Sequence, residues 1–156
     1  MKRYAFSLFL VGIILGLSLC FVDFAFSIPT SQQDCDLDQH STISQTYGFV
    51  PGSIVTVQNG SLLRQCVIQF SATVSSPSDD LIGITYSIDG GACTTFGPEA
   101  FHEGSNTETH TNISVVQLGQ GVHTIQPCWV LIDLDFSGGG TAYLAQRCLI
   151  VECRTN

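Results

Sequence analysis

Two imidazoles and three carboxylates fall within twelve residues of one another: Glu99, His102, Glu103, Glu108 and His110. Neutral imidazole and carboxylate are the ligands of divalent metals and the working groups of proton transfer. His102-Glu103 opens a string like the metalloprotease H-E-x-x-H, but Asn106 stands where the second histidine belongs, and no 3.6-residue period runs through the segment. The stretch from Thr94 to Glu108 therefore reads as a polar surface loop. Glu99, His102, Glu103 and His110 are its candidate binding residues. No catalytic residue, metal or cofactor is assigned.

Other constellations are weaker. Asp34-Cys35-Asp36-Leu37-Asp38 alternates carboxylates as a calcium loop does, yet Gln39 and Gln45 occupy the positions where an EF-hand needs Gly and Glu. A solvated acidic arm is the expectation. Asp133 and Asp135 lie near a glycine-rich turn, where aspartate is common without an ion. There is no G-x-S-x-G elbow for a nucleophilic serine. Trp129, the one tryptophan, shares a strand face with Ile125 and Leu131 and reads as core rather than as a sugar platform. Asn59-Gly60-Ser61 and Asn112-Ile113-Ser114 match the glycosylation sequon.

The elements that hold these residues belong to an exported chain. Lys2-Arg3, an apolar run from Tyr4 to Val22 and Ala25-Phe26-Ser27 have the layout of a secretory signal peptide over residues 1–27. Its removal leaves 129 residues, with three arginines against twelve acids, a net charge of −9, and no lysine. So acidic a chain is repelled by phosphate backbones, which excludes nucleic acid as a partner, and the missing lysine excludes Schiff-base chemistry. No second spanning run follows, so the mature chain is expected not to cross a membrane. Cys35, Cys66, Cys93, Cys128, Cys148 and Cys153 remain, an even set that reads as three disulfides. The nearest pair, Cys148 and Cys153, has four residues between its members, which does not suit a C-x-x-C zinc site.

Alternation with a period of two dominates the rest. Residues 28–46 are polar and aperiodic, an N-terminal arm, and 47–156 form the domain. Cys66, Ile68, Phe70, Ala72 and Val74 share one face of a strand, and Gln69, Ser71 and Thr73 share the other. Asn59-Gly60 between apolar runs predicts a hairpin with a type I′ turn. Gly119-Gln120-Gly121 predicts a second break, between strands 109–118 and 122–134. Six to eight short strands separated by turns imply an all-β, antiparallel β-sandwich, with a jelly roll as the alternative.

Tyr86-Ser87-Ile88-Asp89-Gly90-Gly91, Gly121-Val122-His123-Thr124-Ile125 and the aspartate-rich turn at Asp133 resemble the Ig-like repeats of bacterial exported and surface proteins. The resemblance implies a fold and an extracellular setting and carries no catalytic residue. In that strand order the end of the strand before Cys93 runs beside the start of the strand holding Cys128, which implies a Cys93–Cys128 bridge. Cys148 and Cys153 lie in an extended run. Their Cα atoms would be ~16 Å apart and their side chains on opposite faces, so they should not pair. Cys35 and Cys66 would take them in an order left open.

The function class favoured is a secreted, non-enzymatic binding or structural module that displays loops. Its expected partner is an extracellular protein or a glycan, with homo-oligomerisation open. The alternative is a metal-dependent carbohydrate binder or hydrolase that uses residues 94–110. In either case the bridges must matter to stability, because loss of one native disulfide from a small secreted domain typically costs about 2–5 kcal/mol. Melting in the presence of reductant should occur at a lower temperature than without it. Equal melting temperatures would contradict a stabilising role.

Overall fold

The computed structural model of the chain describes residues 30–76, 80–93, 99–134 and 140–154. The expected signal segment and Asp135 lie outside these residues. Period-two alternation gives eight strands among them: β1 (Thr30–Asp36), β2 (His40–Thr42), β3 (Gly48–Phe49), β4 (Val55–Ser75), β5 (Leu81–Ile88), β6 (Glu99–Glu103), β7 (Glu108–Ile132) and β8 (Ala142–Arg154). They form one antiparallel sheet in the order β1-β8-β4-β7-β5-β6, with β2 also beside β8 and β3 also beside β7.

Strands β4 and β7 are 21 and 25 residues long. Drawn out straight, each would reach roughly 70–80 Å at about 3.3 Å per residue, far beyond the size of a domain this small. They bend together instead. Their register shifts between Asn59 and Leu63, which lie opposite Gly121 and Gly119. Three residues of β4 therefore face one residue of β7, a bulge that bends the ribbon. Gly121, at φ +140°, takes a backbone conformation that L side chains rarely adopt. Asn59 is buried, and its amide donates to the carbonyls of Leu118 (2.8 Å) and Gly119 (2.6 Å) across the bend.

This corrects the sequence reading twice. Neither Asn59 nor Gly60 has the positive φ of a type I′ turn, and Gly119-Gln120-Gly121 does not separate two strands. Each turn signal is met by its counterpart on the neighbouring strand, so continuous pairing resumes on both sides of a shared fold line.

Folding the ribbon makes a sandwich from one sheet. One layer holds β1, β2, β8, the second half of β4 and the first half of β7. The other holds β3, the start of β4, the second half of β7, β5 and β6. Between them lie Ile68, Phe70, Ile82, Ile84, Tyr86, Ile125, Leu131, Leu149 and Val151, all at most 1 % exposed. Trp129 is part of this core. Tyr86 crosses it and donates its hydroxyl to Asn112 Oδ1 at 2.6 Å. Both sequon asparagines, Asn59 and Asn112, are thus buried.

The acidic arm is also corrected. Residues 30–36 form strand β1 along β8, with Cys35 opposite Cys148 and Asp36 opposite Arg147. A register shift between β4 and β8, with Gln146 at φ +48°, turns Arg147 inward. Its guanidinium is fully buried. It pairs with Asp36 and donates to the Asp38 carbonyl (2.6 Å) and the Ser53 hydroxyl (3.3 Å). Asp34 accepts the Ile54 amide at 2.8 Å. These carboxylates dock the first strand and do not form a solvated loop.

The bridges are Cys35–Cys148, Cys66–Cys153 and Cys93–Cys128. Cys148 and Cys153 lie on opposite faces of β8, as their odd separation requires: Cys153 joins the core with Cys66, while Cys148 bonds Cys35 on the outer face. Replacing Asp36 strands the charge of the fully buried Arg147 guanidinium. Asp36→Asn should therefore cost about 3–5 kcal/mol in denaturant unfolding. A loss below about 1 kcal/mol would show that Asp38 and Ser53 suffice for Arg147.

Candidate functional site

At one end of the sandwich, β6 and β7 are joined through residues 104–107. On β7, Glu108 and His110 are two residues apart and so share a face; they lie opposite Val74 and Ala72 of β4. Strand β6 pairs with β5, with Ile82 opposite His102 and Gly83 opposite Ala100, so Phe101 is an extra residue in a bulge. A bulge re-aims side chains, and here both Phe101 and His102 are buried. Phe101 packs against Phe70 (ring centroids 5.8 Å apart) and His110 (5.9 Å).

The two histidines meet. His102 Nδ1 lies 3.1 Å from His110 Nε2, and the same His110 nitrogen is 3.2 Å from a Glu108 carboxylate oxygen. His102 Nε2 is 2.8 Å from the Gly104 carbonyl. A carbonyl only accepts, so Nε2 carries the proton and the Nδ1 lone pair faces His110. Gly104, at φ +106°, turns that carbonyl back towards the ring, and the Ser76 hydroxyl also donates to it at 2.8 Å. His102 is 3 % exposed, whereas the His110 and Glu108 side chains are 33 % and 53 % exposed. The cluster is anchored inside and open outside.

The sequence reading of a polar surface loop is corrected by this arrangement. Residues 99–103 form a paired strand, and His102 is a buried side chain. The neighbouring residues 94–98 lie outside the described residues. Of the four candidate binding residues, the fold joins His102 and His110. Glu103 is exposed at the end of β6, and Glu99 lies opposite Ile84 on the same strand. The carboxylate that completes the cluster is Glu108. Its spacing from His110 is the signal in the sequence, since alternation in an extended strand puts residues 108 and 110 on one face.

No protein-family model matches the sequence, and no curated protein does. The fold has solved counterparts. The structure of infectious bursal disease virus, Gt strain, is similar with a TM-score of 0.53 at 17 % identity over 81 % of this chain. The VP2 subviral particle of infectious bursal disease virus is similar with a TM-score of 0.52 at 16 % identity, again over 81 %. The chain spans about a third of those chains, 33 % in each case. Identity this low shows a shared fold alone. Among the described residues no helix is long and apolar enough to cross a membrane. Three disulfides belong to an oxidising environment.

A second ionisable pair lies at the fold line. Asp89, at the end of β5, accepts from His123 Nδ1 at 2.8 Å and from the Thr124 amide at 2.8 Å, and His123 Nε2 lies 3.0 Å from the Gly119 carbonyl. With an acceptor at each ring nitrogen, the imidazolium is favoured. The hydrogen bond to Asp89 raises the His123 pKa against the opposing effect of burial. Burial by itself would raise Asp89, but its bonds to His123 and Thr124 outweigh it and hold the carboxyl below its ordinary value.

The raised histidine contributes stability that is full below its unfolded pKa of about 6.5 and is lost as pH rises through the higher folded value. The lowered aspartate contributes above about pH 3.9 and loses its share as pH falls through the lower folded value. His123→Gln should therefore lower the melting temperature more at about pH 5.5 than at about pH 8.5. An equal drop at both would show that the pair acts as a neutral hydrogen bond.

Proposed function

We propose that this chain is a secreted, non-enzymatic structural module that works through contact of its open sheet face, and that the face meets a second copy of the chain. One observation carries the reading. The outer face of the β1-β8-β4-β7 layer presents Leu63, Ile113 and Val115, each more than half exposed, with Val67 beside Val115 and Ile150 in the row of Ile113. Across the sheet, Gln33, Ile150, Gln69 and Ile113 form one row, and Ser31, Glu152, Val67 and Val115 form the next. The charged groups in these and the following row are Glu152 and Arg154, which lie 3.7 Å from each other.

The chain as a whole carries a net charge of −8. Two copies repel one another over most orientations, and repulsion is weakest where this near-neutral face meets itself. Apolar side chains with few charges are also what the buried centre of an interface requires. The similarity to VP2, found in subviral and T=1 particles, supports such a sandwich as a structural unit. A second reading, a metal-dependent binding module, is favoured by the approach of His102 to His110.

Sedimentation of the oxidised protein over a concentration series tests self-contact. The wild type should shift from monomer to dimer as concentration rises. Ile113→Glu should stay monomeric while keeping its stability within about 0.5 kcal/mol, as exposed substitutions usually do. A wild type that is monomeric throughout would overturn self-association through this face.

A further inference from the structure

We propose that His102, Glu108 and His110 form a binding site for a divalent transition metal of the zinc class, open to solvent on one side. The inference rests on the geometry of the three side chains and is independent of how the sheet face is used. One ligand atom from each of the three residues lies within 4.8 Å of the other two, and His102 Nδ1 and a Glu108 oxygen both approach His110 Nε2. Two of the three separations are 3.1 and 3.2 Å. A tetrahedral zinc with bonds of about 2.0–2.1 Å needs ligand atoms about 3.3 Å apart. These atoms are therefore close to the edges of a zinc tetrahedron before any metal arrives.

The surroundings point the same way. A metal-binding histidine normally donates its other N–H to a carbonyl or carboxylate, which sets the tautomer and aims the lone pair. His102 does this through Nε2 and the Gly104 carbonyl, at 2.8 Å. The buried ring costs little further ordering, because the β6 bulge already holds it. His110 is packed against Phe101, and it reaches the cluster from β7, so the metal would tie the two layers together at this end. Two imidazoles and one carboxylate favour zinc or a neighbouring transition metal over calcium and magnesium, which take oxygen ligands. Three protein ligands leave a fourth position, and the exposure of Glu108 and His110 places it on the solvent side.

The protein, oxidised and stripped with a chelator, would be titrated calorimetrically with Zn2+, and with Mg2+ and Ca2+ in parallel. Expected is one Zn2+ per chain with a rise in melting temperature, and no comparable binding of Mg2+ or Ca2+. Glu108→Gln and His110→Ala should each weaken Zn2+ binding tenfold or more, while His40→Ala and His123→Gln leave it unchanged. Co2+ bound in place of Zn2+ should show the visible absorption of a tetrahedral ion, and His110→Ala should abolish it. Melts of the metal-free variants establish that they are folded; should His110→Ala fail there, Glu108→Gln decides. Absence of Zn2+ binding by the wild type would overturn the site, as would affinity that survives in the folded variants. In that event the three side chains form a hydrogen-bonded cluster that closes the end of the sandwich.

Discussion

The architecture depends on two long strands bending at the same level. A ribbon of β4 and β7 that continued straight would expose both faces to water along most of its length. The bulge opposite Gly119–Gly121 folds the ribbon, and the apolar faces of its two halves then cover each other. Carbonyls freed at such a bend need donors, since a buried backbone oxygen without a partner is costly. Asn59 supplies them to Leu118 and Gly119, and His123 reaches the Gly119 carbonyl from beyond the bend. The fold line is therefore held by side-chain hydrogen bonds where the backbone ladder is interrupted.

The same device, an irregularity that redirects one side chain, recurs at two other places. On β8 the register shift near Gln146 turns Arg147 inward, where Asp36, Asp38 and Ser53 receive it and fasten the first strand. On β6 the bulge at Phe101 brings His102 inside, where Gly104 fixes its tautomer. In both cases a polar group is buried with its partners in place, as burial demands. Cys35–Cys148 and Cys66–Cys153 reinforce this arrangement by joining β8 to its two neighbours through opposite faces. Cys93–Cys128 ties the end of the turn after β5 to β7 in the other layer.

Two surfaces follow from this scaffold, and their chemistry differs. The outer sheet face is broad, nearly uncharged and partly apolar, suited to protein contact. The His102 end is small, polar and convergent, suited to an ion. Side chains on paired strands form both surfaces.

The sequence by itself determined the class of fold, the number of disulfides and the exclusion of one pairing among them. Period-two alternation with turn residues between apolar runs has few stable outcomes other than an antiparallel sandwich. The odd spacing of Cys148 and Cys153 forbids their pairing in any extended strand. Trp129 belonged to the core because Ile125 and Leu131 share its face. What only the tertiary structure decided was how neighbouring strands answer each local signal. Asn59-Gly60 makes a hairpin unless a partner bends beside it, and Gly119-Gly121 is that partner. Asp36 looks solvated until a distant arginine, 111 residues away, is turned towards it, and Asp34 until the Ile54 amide reaches it. His102 looks like a loop residue until a one-residue bulge in β6 turns its side chain inward to meet His110. Bulges and register are set by packing across the whole sheet, where a shift of one residue exchanges the buried and exposed faces, and local sequence carries little record of that choice.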